Sequence, residues 1–482
     1  MRRAIFFALF AAILAGGICF AKDAKSGAKV ELVPPPVAAA NAPAIPAHPS
    51  PYNFAGVQYP RIESDNRVTF HFAAPNAQKV QVSIVSKTFD MVKGSDGVWT
   101  YTSDPQPPGF HNYWMIVDGA IVLDPNTNAF IGYGHMCYGF EVPDPGVDWY
   151  DIKDVAHGHV QIENYFAKTT NAWRHIFVYT PPGYDANLKT RYPVFYLQHG
   201  GGEDERVWTE MGRTNVILDN LLAAGKVKPM IVVMETSATG GPDSSGGRPG
   251  AGGAAAAGGG GAGRGAGAPQ PPQIGPAPAR PGAVSQPSAP LAPGTAAAGR
   301  GAGMPGMGGP GGGAYGVFMT TELIPWVDSH YRTIADKDHR AMAGLSMGGM
   351  QTATVTMANL DKFSYIGFFS GGAAAGRGGA GRGTAPGAAP AAAPAPAAAP
   401  APLDFKAIYN GQMAVPAEFN KKVHVLFMSC GSMESPDSLK THQQQLAAAG
   451  IEHTYVYVSP GTAHEWQTWR RSLYAFAPLL FR

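Results

Sequence analysis

From Val155 to the carboxyl end, short apolar runs alternate with longer segments of helical periodicity, and this alternation is the strongest constraint on the fold. The apolar runs lie at residues 194–197, 230–234, 340–343, 365–369, 423–428 and 454–458. Strands that alternate with helices in this way are typical of a parallel sheet covered by helices on both faces. The pattern therefore predicts a doubly wound α/β domain over residues 155–482.

Two long stretches interrupt this order, at residues 237–316 and 371–402. Both consist almost entirely of glycine, alanine and proline. Such sequence buries too little apolar surface to offset an ordering entropy of about 1–2 kcal/mol per residue, so we expect both inserts to be disordered. Each follows a predicted strand, and the inserts should leave the sheet at the edge where ligands bind in α/β folds.

A different pattern precedes the α/β segment. Short runs of alternating polar and apolar residues lie at 68–72, 80–84, 98–101 and 113–117, separated by turn signals such as Asp118-Gly119. This spacing predicts a small β-sandwich over residues 58–146. All the chemistry discussed below lies beyond Val155, so we expect that chemistry to continue nearly unchanged on small substrates without this domain.

The amino-terminal residues have the composition of a targeting segment. Arg2 and Arg3 precede an apolar run that ends at Phe20, which predicts a signal peptide over residues 1–21. The alternative is a membrane anchor, for which about 17 apolar residues make a short span. An Ala/Pro-rich linker is predicted at residues 22–57. The mature protein is thus expected to be secreted or periplasmic, with no stable membrane anchor after cleavage.

The charge and the cysteine content argue against a nucleic-acid-binding protein and against a disulfide-stabilised fold. The formal net charge of +2 gives no reason to expect nucleic acid as a partner. If the signal peptide is removed, only Cys137 and Cys430 remain, and they fall in different predicted domains. We therefore expect two buried thiols and no disulfide framework.

Residues 344–348 fit the pattern G-x-S-x-G, with Ser346 at its centre. Glycines two residues before and after the serine permit a sharp turn from strand to helix, which lifts the hydroxyl out of the sheet. An apolar strand precedes this segment, and a helical run at residues 350–357 follows it. This context indicates that Ser346 is a nucleophile.

A serine nucleophile needs a histidine base and a carboxylate behind it, in the chain order serine, acid, histidine. His464 follows the predicted strand at 454–458, and Glu434 lies in the loop after the strand at 423–428. We assign His464 as the base and Glu434 as the acid. Asp437 is the alternative acid, although its position after Pro436 is also typical of the first turn of a helix.

Acyl transfer also needs backbone N–H donors for the oxyanion. Met347, the residue after the nucleophile, supplies one donor in this pattern. The glycine-rich loop at residues 199–202 supplies the other, for which we choose Gly201, with Gly202 as the alternative. This chemistry requires no cofactor and no metal.

Residues 155–482 resemble the esterase family that contains feruloyl esterases, acetyl xylan esterases and the esterase D type. The segments that carry the resemblance are 179–184, 192–202, 344–349 and 461–470. The resemblance implies an α/β-hydrolase fold and catalytic roles for Ser346 and His464. Where the family usually has Asp in its acid segment, this chain has Glu434.

Residues 58–146 resemble the immunoglobulin-like early-set domains of the glycogen-branching type, which are often classed with carbohydrate-binding modules. The matching segments are 68–77, 96–99, 107–110 and 117–119. Family members with such a domain resemble enzymes that degrade plant cell walls. The resemblance therefore implies a feruloyl or acetyl ester of a polysaccharide or oligosaccharide as substrate. The alternatives are a siderophore esterase of the enterochelin type and an inactive carbohydrate-binding relative.

Overall fold

The structure is a computed structural model that describes residues 32–38, 42–85, 87–237, 313–372 and 403–482. The predicted signal peptide and nearly all of the two predicted inserts lie outside these residues. Among the described helices, none has the length and apolar character needed to cross a membrane.

Before Val155, the described chain forms two antiparallel sheets. Their strands are β1 (His48–Pro49), β2 (Arg61–Ile62), β3 (Val68–Ala73), β4 (Val80–Ile84), β5 (Lys87–Asp90), β6 (Val92–Lys93), β7 (Val98–Thr102), β8 (Gly109–Val117), β9 (Ala120–Val122), β10 (Ala129–Gly132) and β11 (His135–Val142). One sheet has the order β1-β2-β3-β7-β6 and the other β10-β11-β8-β4-β5, with β9 paired to β8.

The two sheets enclose a common core, as a β-sandwich does. In β3 the buried residues Val68, Phe70 and Phe72 alternate with more exposed ones, and they pack in one cluster with Tyr113 and Phe140 of the second sheet. All four predicted strands are present. Three lie within a residue of their expected bounds, whereas β8 begins at Gly109, four residues before the predicted start at Tyr113. Strand β1 lies within the predicted linker at residues 22–57, so regular structure begins earlier than expected.

After Val155, the chain forms one mixed sheet with the order β12-β13-β15-β14-β16-β17-β18-β19. Its strands are β12 (His159–Ala167), β13 (Ala172–Thr180), β14 (Val194–Gln198), β15 (Ile231–Glu235), β16 (Arg340–Leu345), β17 (Tyr365–Phe369), β18 (Val425–Gly431) and β19 (Thr454–Ser459). Along the part of the sheet with the order β15-β14-β16-β17-β18-β19, all neighbouring strands are parallel. At one edge, β12 pairs with β13 and β13 pairs with β15, both in the antiparallel direction. The sheet is therefore mixed, and not wholly parallel.

Helices cover both faces of this sheet. They are α1 (Val207–Glu210), α2 (Thr214–Ala223), α3 (Gly313–Phe318), α4 (Ile324–His330), α5 (Met347–Ala358), α6 (Pro416–Lys422), α7 (Pro436–Ala448) and α8 (Trp466–Phe476). Short 3₁₀ turns lie at Lys337–His339, Ile408–Gly411 and Ala477–Leu479. Phe195 and Leu197 of β14 pack into one apolar cluster while Val194 and Tyr196 pack into another, because successive strand residues point to opposite faces.

The first predicted insert ends earlier than expected. Helix α3 begins at Gly313, inside the predicted insert, and a π-helical turn, Met319–Leu323, joins it to α4. Tyr315, inside the predicted insert, is buried, and its hydroxyl donates to Oε1 of Gln198 at 2.5 Å. Gly316 therefore belongs to the folded domain, because an aromatic ring beside it supplies the apolar burial that the rest of the insert sequence lacks.

The sandwich and the α/β domain share a core. Phe110, Phe130 and Cys137 of the sandwich pack in the same apolar cluster as residues of α2, α8 and the large sheet. Strand β8 approaches α8 so closely that a Cβ on Gly109 would lie 2.7 Å from the Cβ of Gln467. The structure therefore gives no support to our expectation that the α/β domain works without the sandwich.

Two buried ion pairs cross the same boundary. Arg470 of α8 bonds both oxygens of Glu141 in β11, at 2.6 and 3.2 Å, and its side chain is fully buried. The neighbouring Arg471 bonds Asp144 at 3.1 Å. Because a buried charge is costly without its partner, these pairs tie the position of α8 to the sandwich.

Candidate active site

Ser346 lies at the turn between β16 and α5, with φ 51° and ψ −117°. Its N–H donates to the carbonyl of Phe369 at 2.7 Å. Glycine is required on both sides, because a Cβ on Gly344 would lie 2.5 Å from the Gly348 carbonyl and a Cβ on Gly348 would collide with the His199 carbonyl. A non-glycine residue held at positive φ is a strained position of the kind that clusters at functional sites.

His464 lies in the loop between β19 and α8, opposite Ser346. Its Nε2 is 2.9 Å from the Oγ of Ser346, and its Nδ1 is 2.7 Å from Oε1 of Glu434. The carboxylate can only accept, so Nδ1 carries the proton and the Nε2 lone pair faces the hydroxyl. The three side chains, which come from the carboxyl ends of three different strands, thus form one chain of hydrogen bonds.

Glu434 is held on both of its oxygens. Oε2 accepts hydrogen bonds from the Ser370 hydroxyl at 2.8 Å and from the Gly431 N–H at 2.5 Å. Burial alone would raise the pKa of Glu434, but the hydrogen bonds from His464, Gly431 and Ser370 outweigh it and hold the pKa below its ordinary value. The carboxylate is therefore ionised at neutral pH, as the partner of a histidine base must be.

The alternative acid, Asp437, lies elsewhere. Its side chain is 97% exposed in the first turn of α7 and has its nearest ion-pair contact with Lys440, at 3.8 Å. It makes no described hydrogen bond to His464. Of the two candidate acids, only Glu434 contacts His464.

The two predicted oxyanion donors line the same cavity as Ser346 and His464. Gly201 faces Met347, since a Cβ on Gly201 would lie 3.8 Å from the Met347 Sδ. Gly202 turns away from this cavity, because its carbonyl accepts the N–H of Gly134 at 2.9 Å and a Cβ on it would collide with that backbone. The structure therefore favours Gly201 over Gly202.

Two side chains that the motif analysis did not single out hold the Gly201 loop in place. The buried His199 accepts the Ser237 N–H on Nε2 at 3.1 Å, so its Nδ1 donates to the Gly200 carbonyl at 2.7 Å. Burial lowers the pKa of His199, which keeps this ring neutral. Glu203 accepts the Gly200 N–H at 2.8 Å, and burial raises the pKa of Glu203 to about 8.

The cavity beside Ser346 has a volume of about 340 Å³ and is lined mostly by apolar atoms. Both domains contribute to its lining. The residues from the sandwich are Val85, Phe110, His111, Asn112 and Tyr133. The residues from the α/β domain, besides those already named, include Leu345, Met350, Glu465, Trp466 and Trp469.

Two of the sandwich residues in this wall have strained backbones. Val85 has φ 43° and Tyr133 has φ 56°, in the left-handed region that L-residues rarely adopt. For Val85 this is unusual, because its branched side chain makes that region costly. Our sequence analysis missed the sandwich wall, since its residues match no motif and lie more than 200 residues from Ser346 in the sequence.

Within the described ranges, no group of three or more His, Cys, Asp or Glu side chains is arranged to hold a metal ion. Cys137 and Cys430 are both buried and free, as predicted.

Comparison with known proteins identifies the region that carries this geometry. Residues 294–480 match the family model described as "Putative esterase". This part of the chain belongs to that esterase family. The matched region contains Ser346, Glu434 and His464, whereas the Gly201 loop and the sandwich precede it.

Two relatives of this chain have names that include "Endo-1,4-beta-xylanase". One, named "Endo-1,4-beta-xylanase/feruloyl esterase", from Xylanibacter ruminicola, is 31% identical over 444 residues, which are 90% of this chain and 47% of the relative. The other, "Endo-1,4-beta-xylanase Y" from Acetivibrio thermocellus, is 42% identical over 67 residues, which are 14% of this chain and 6% of the relative. The chain thus spans less than half the length of either relative.

A solved structure shows the same fold. The enterobactin esterase of Shigella flexneri aligns with 86% of this chain and 93% of its own, at a TM-score of 0.50 and 13% identity. At this identity the likeness concerns the fold alone. The large mixed sheet with its covering helices is that of α/β-hydrolase-type esterases, as the sequence resemblance implied.

Proposed function

We propose that the protein is a serine carboxylic-ester hydrolase that works through an acyl-enzyme, with Ser346 as nucleophile, His464 as base and Glu434 as acid. The observation that carries the proposal is the chain of two hydrogen bonds, 2.9 and 2.7 Å long, that joins these three side chains at the wall of an apolar cavity. Nucleophile and base lie within hydrogen-bond reach, and a third group orients the base.

In the first half of the reaction, Nε2 of His464 takes the proton of Ser346 as Oγ attacks the ester carbonyl. Glu434 stabilises the imidazolium that forms. The N–H groups of Gly201 and Met347 bind the negative oxygen of the tetrahedral intermediate. His464 then gives its proton to the departing alcohol, and the acyl group remains on Ser346.

In the second half, a water molecule replaces the alcohol. His464 takes a proton from this water, which attacks the acyl carbonyl, and the serine leaves with the proton that the histidine returns. The carboxylic acid is released and the enzyme is restored. No group outside the chain is needed to balance these steps.

We further propose that the substrate is a hydroxycinnamoyl (feruloyl) or acetyl ester on a plant cell-wall polysaccharide or oligosaccharide. The name of the Xylanibacter ruminicola relative supports a feruloyl ester, and the cavity volume of about 340 Å³ suits an aromatic acyl group. We propose that the protein is secreted or periplasmic, on the basis of residues 1–21.

The test compares methyl ferulate, acetylated xylan and a short nitrophenyl ester as substrates of the wild type and of Ser346→Ala. We expect Ser346→Ala to lower kcat at least a thousandfold on every ester that the wild type cleaves, with an unchanged circular dichroism spectrum. Ser438→Ala, an exposed serine on α7, is the matched control and should retain full activity. Residual activity above about a thousandth of the wild-type rate would contradict the assignment of Ser346.

A further inference from the structure

The buried part of the cavity wall that comes from the sandwich includes Asn112, whose side-chain oxygen accepts no described hydrogen bond. Asn112 of β8 is 6% exposed, and its backbone carbonyl accepts the N–H of the strained Val85 at 3.1 Å. This hydrogen bond fixes the backbone from which the Asn112 side chain extends. The nitrogen and the oxygen of the side-chain amide face different surroundings.

The nitrogen end of the amide faces two sulfur atoms. Nδ2 of Asn112 is 3.0 Å from Sγ of Cys137 and 3.5 Å from Sδ of Met211. A thioether has no proton, so the atom beside Met211 must be the donor, and the Cys137 thiol gives its own proton to the Phe130 carbonyl. The chemistry of both neighbours thus fixes the orientation of the amide, with Nδ2 toward the sulfur atoms and Oδ1 at the opposite end of a side chain that lines the cavity.

No described group donates a hydrogen bond to Oδ1 of Asn112. Other polar groups in the wall are already bonded to protein atoms. His111 bonds the Pro107 carbonyl at 2.7 Å and lies 3.7 Å from Glu465, whose other oxygen accepts the Ala463 N–H. An acceptor with no donor in the protein, at the wall of an apolar cavity, is suited to a donor on the ligand.

The carboxyl group of Glu203 lines the same cavity as Asn112. One oxygen of Glu203 accepts the Gly200 N–H, and the other has no described partner. Glu203 is close enough to Cys137 to add to the effect of burial, which raises the pKa of that thiol to about 12. Burial also raises the pKa of Glu203 to about 8, which favours the protonated carboxyl in this cavity.

We infer that the amide oxygen of Asn112 binds a hydroxyl group on the ring of an aromatic acyl chain. The hydroxyl donates to Oδ1 of Asn112, while Phe110, Leu345 and Trp466, which line the same cavity, contact the ring. This inference rests on the proposed function, since it requires that the acyl group enters the cavity beside Ser346. It makes the sandwich a determinant of acyl specificity.

The experiment compares two esters that differ by one hydroxyl, methyl 4-hydroxycinnamate and methyl cinnamate. We expect the wild type to favour the hydroxylated ester by about tenfold or more in kcat/KM, because methyl cinnamate leaves a buried acceptor unpaired. In Asn112→Leu, which removes the oxygen at similar volume, the two esters should differ by less than about threefold. Met211→Leu is the matched control, because it removes one sulfur contact behind the amide and should retain the preference.

Affinity provides a measurement that does not depend on turnover. In the Ser346→Ala background, calorimetry should show the same preference for methyl 4-hydroxycinnamate, and Asn112→Leu should abolish it. If that preference in affinity is found while no ester is hydrolysed by the wild type, the inference stands and the proposed function fails. If Asn112→Leu does not fold, Asn112→Ala removes the same oxygen without placing an apolar branch against the sulfurs.

Two results would overturn the inference. One is equal affinity and equal kcat/KM of the wild type for the two esters, or a preference that survives in Asn112→Leu. The other concerns a sugar hydroxyl, which offers the same chemistry as a phenol. If Asn112→Leu lowers kcat/KM for feruloyl arabinose and leaves methyl ferulate unchanged, the hydroxyl recognised is that of the sugar.

Discussion

The cavity beside Ser346 has two walls that are built in different ways. On one wall, Ser346, Glu434 and His464 follow the carboxyl ends of three strands of a single sheet. Backbone hydrogen bonds hold Ser346 and Glu434, and side-chain hydrogen bonds to these two residues hold His464. On the other wall, Val85 and Asn112 come from a separate antiparallel sandwich, positioned by packing between domains. The positions of the reacting groups therefore depend on local geometry. The positions of the residues in the opposing wall depend on contacts between segments that are distant in the sequence.

Substitutions in the two walls should therefore have different effects. A substitution among the strand-end residues removes chemistry and should lower kcat with little effect on stability. A substitution in the sandwich wall or at the domain boundary should act on substrate choice or on the free energy of unfolding. Three changes test this division, beginning with the one that should have the largest effect.

Deletion of residues 58–146 should abolish both folding and hydrolysis of even small esters. It would expose the apolar cluster that Phe110 and Phe130 share with the α/β domain and leave Arg470 buried without a partner. Circular dichroism and turnover of nitrophenyl acetate measure the two effects. A soluble, folded remainder with near-wild-type turnover would show that the domains are independent after all.

On the strand-end wall, Glu434→Gln should lower kcat by about 10³–10⁴, because a neutral amide no longer holds the proton on Nδ1 of His464 or stabilises the imidazolium. Asp437→Asn is the matched control and should stay near the wild-type rate, since that side chain is exposed. Steady-state kinetics on a nitrophenyl ester measure both, with thermal unfolding to check the fold. A larger loss in Asp437→Asn would transfer the acid role to that residue.

The strand-end wall could be predicted from the sequence because each of its members carries a local signal. The G-x-S-x-G pattern requires a turn that only glycine permits at residues 344 and 348, and His464 follows an alternating strand by a few residues. Strand order then brings the three ends to one edge of the sheet. The sequence analysis assigned Glu434 over Asp437 because Asp437 follows Pro436 as a first-turn helix residue does, and the structure adds the direct contact between Glu434 and His464.

The sandwich wall could not be predicted in this way. Asn112 lies in an ordinary alternating strand, and nothing nearby in the sequence indicates that Met211 and Cys137 meet its amide. The same holds for Glu141 and Arg470, which are 329 residues apart in the chain. Contacts between domains depend on how two folded surfaces fit together, and a short sequence pattern carries no information about that fit.

The domain boundary itself is tested by Glu141→Gln, which should lower the free energy of unfolding by about 3–5 kcal/mol, because it leaves the buried Arg470 without a compensating charge. Urea unfolding at pH 7 measures the loss. Glu452→Gln, at an exposed glutamate with only a 3.8 Å contact to His453, is the matched control and should change stability by no more than about 0.5 kcal/mol.

The pH dependence of this loss gives the boundary a second test. Burial alone would raise the pKa of Glu141, but Arg470 and Arg213 outweigh it and hold the pKa below its ordinary value. A depressed carboxyl pKa contributes stability that is fully present above the unfolded value of roughly 4.3 and is lost as the pH falls through the folded value. The difference between wild type and Glu141→Gln should therefore be constant near neutrality and shrink on acidification below about pH 4.3. A difference that stays constant across that acid range would mean that the charge of Glu141 does not stabilise the boundary, and that shape alone joins the sandwich to the α/β domain.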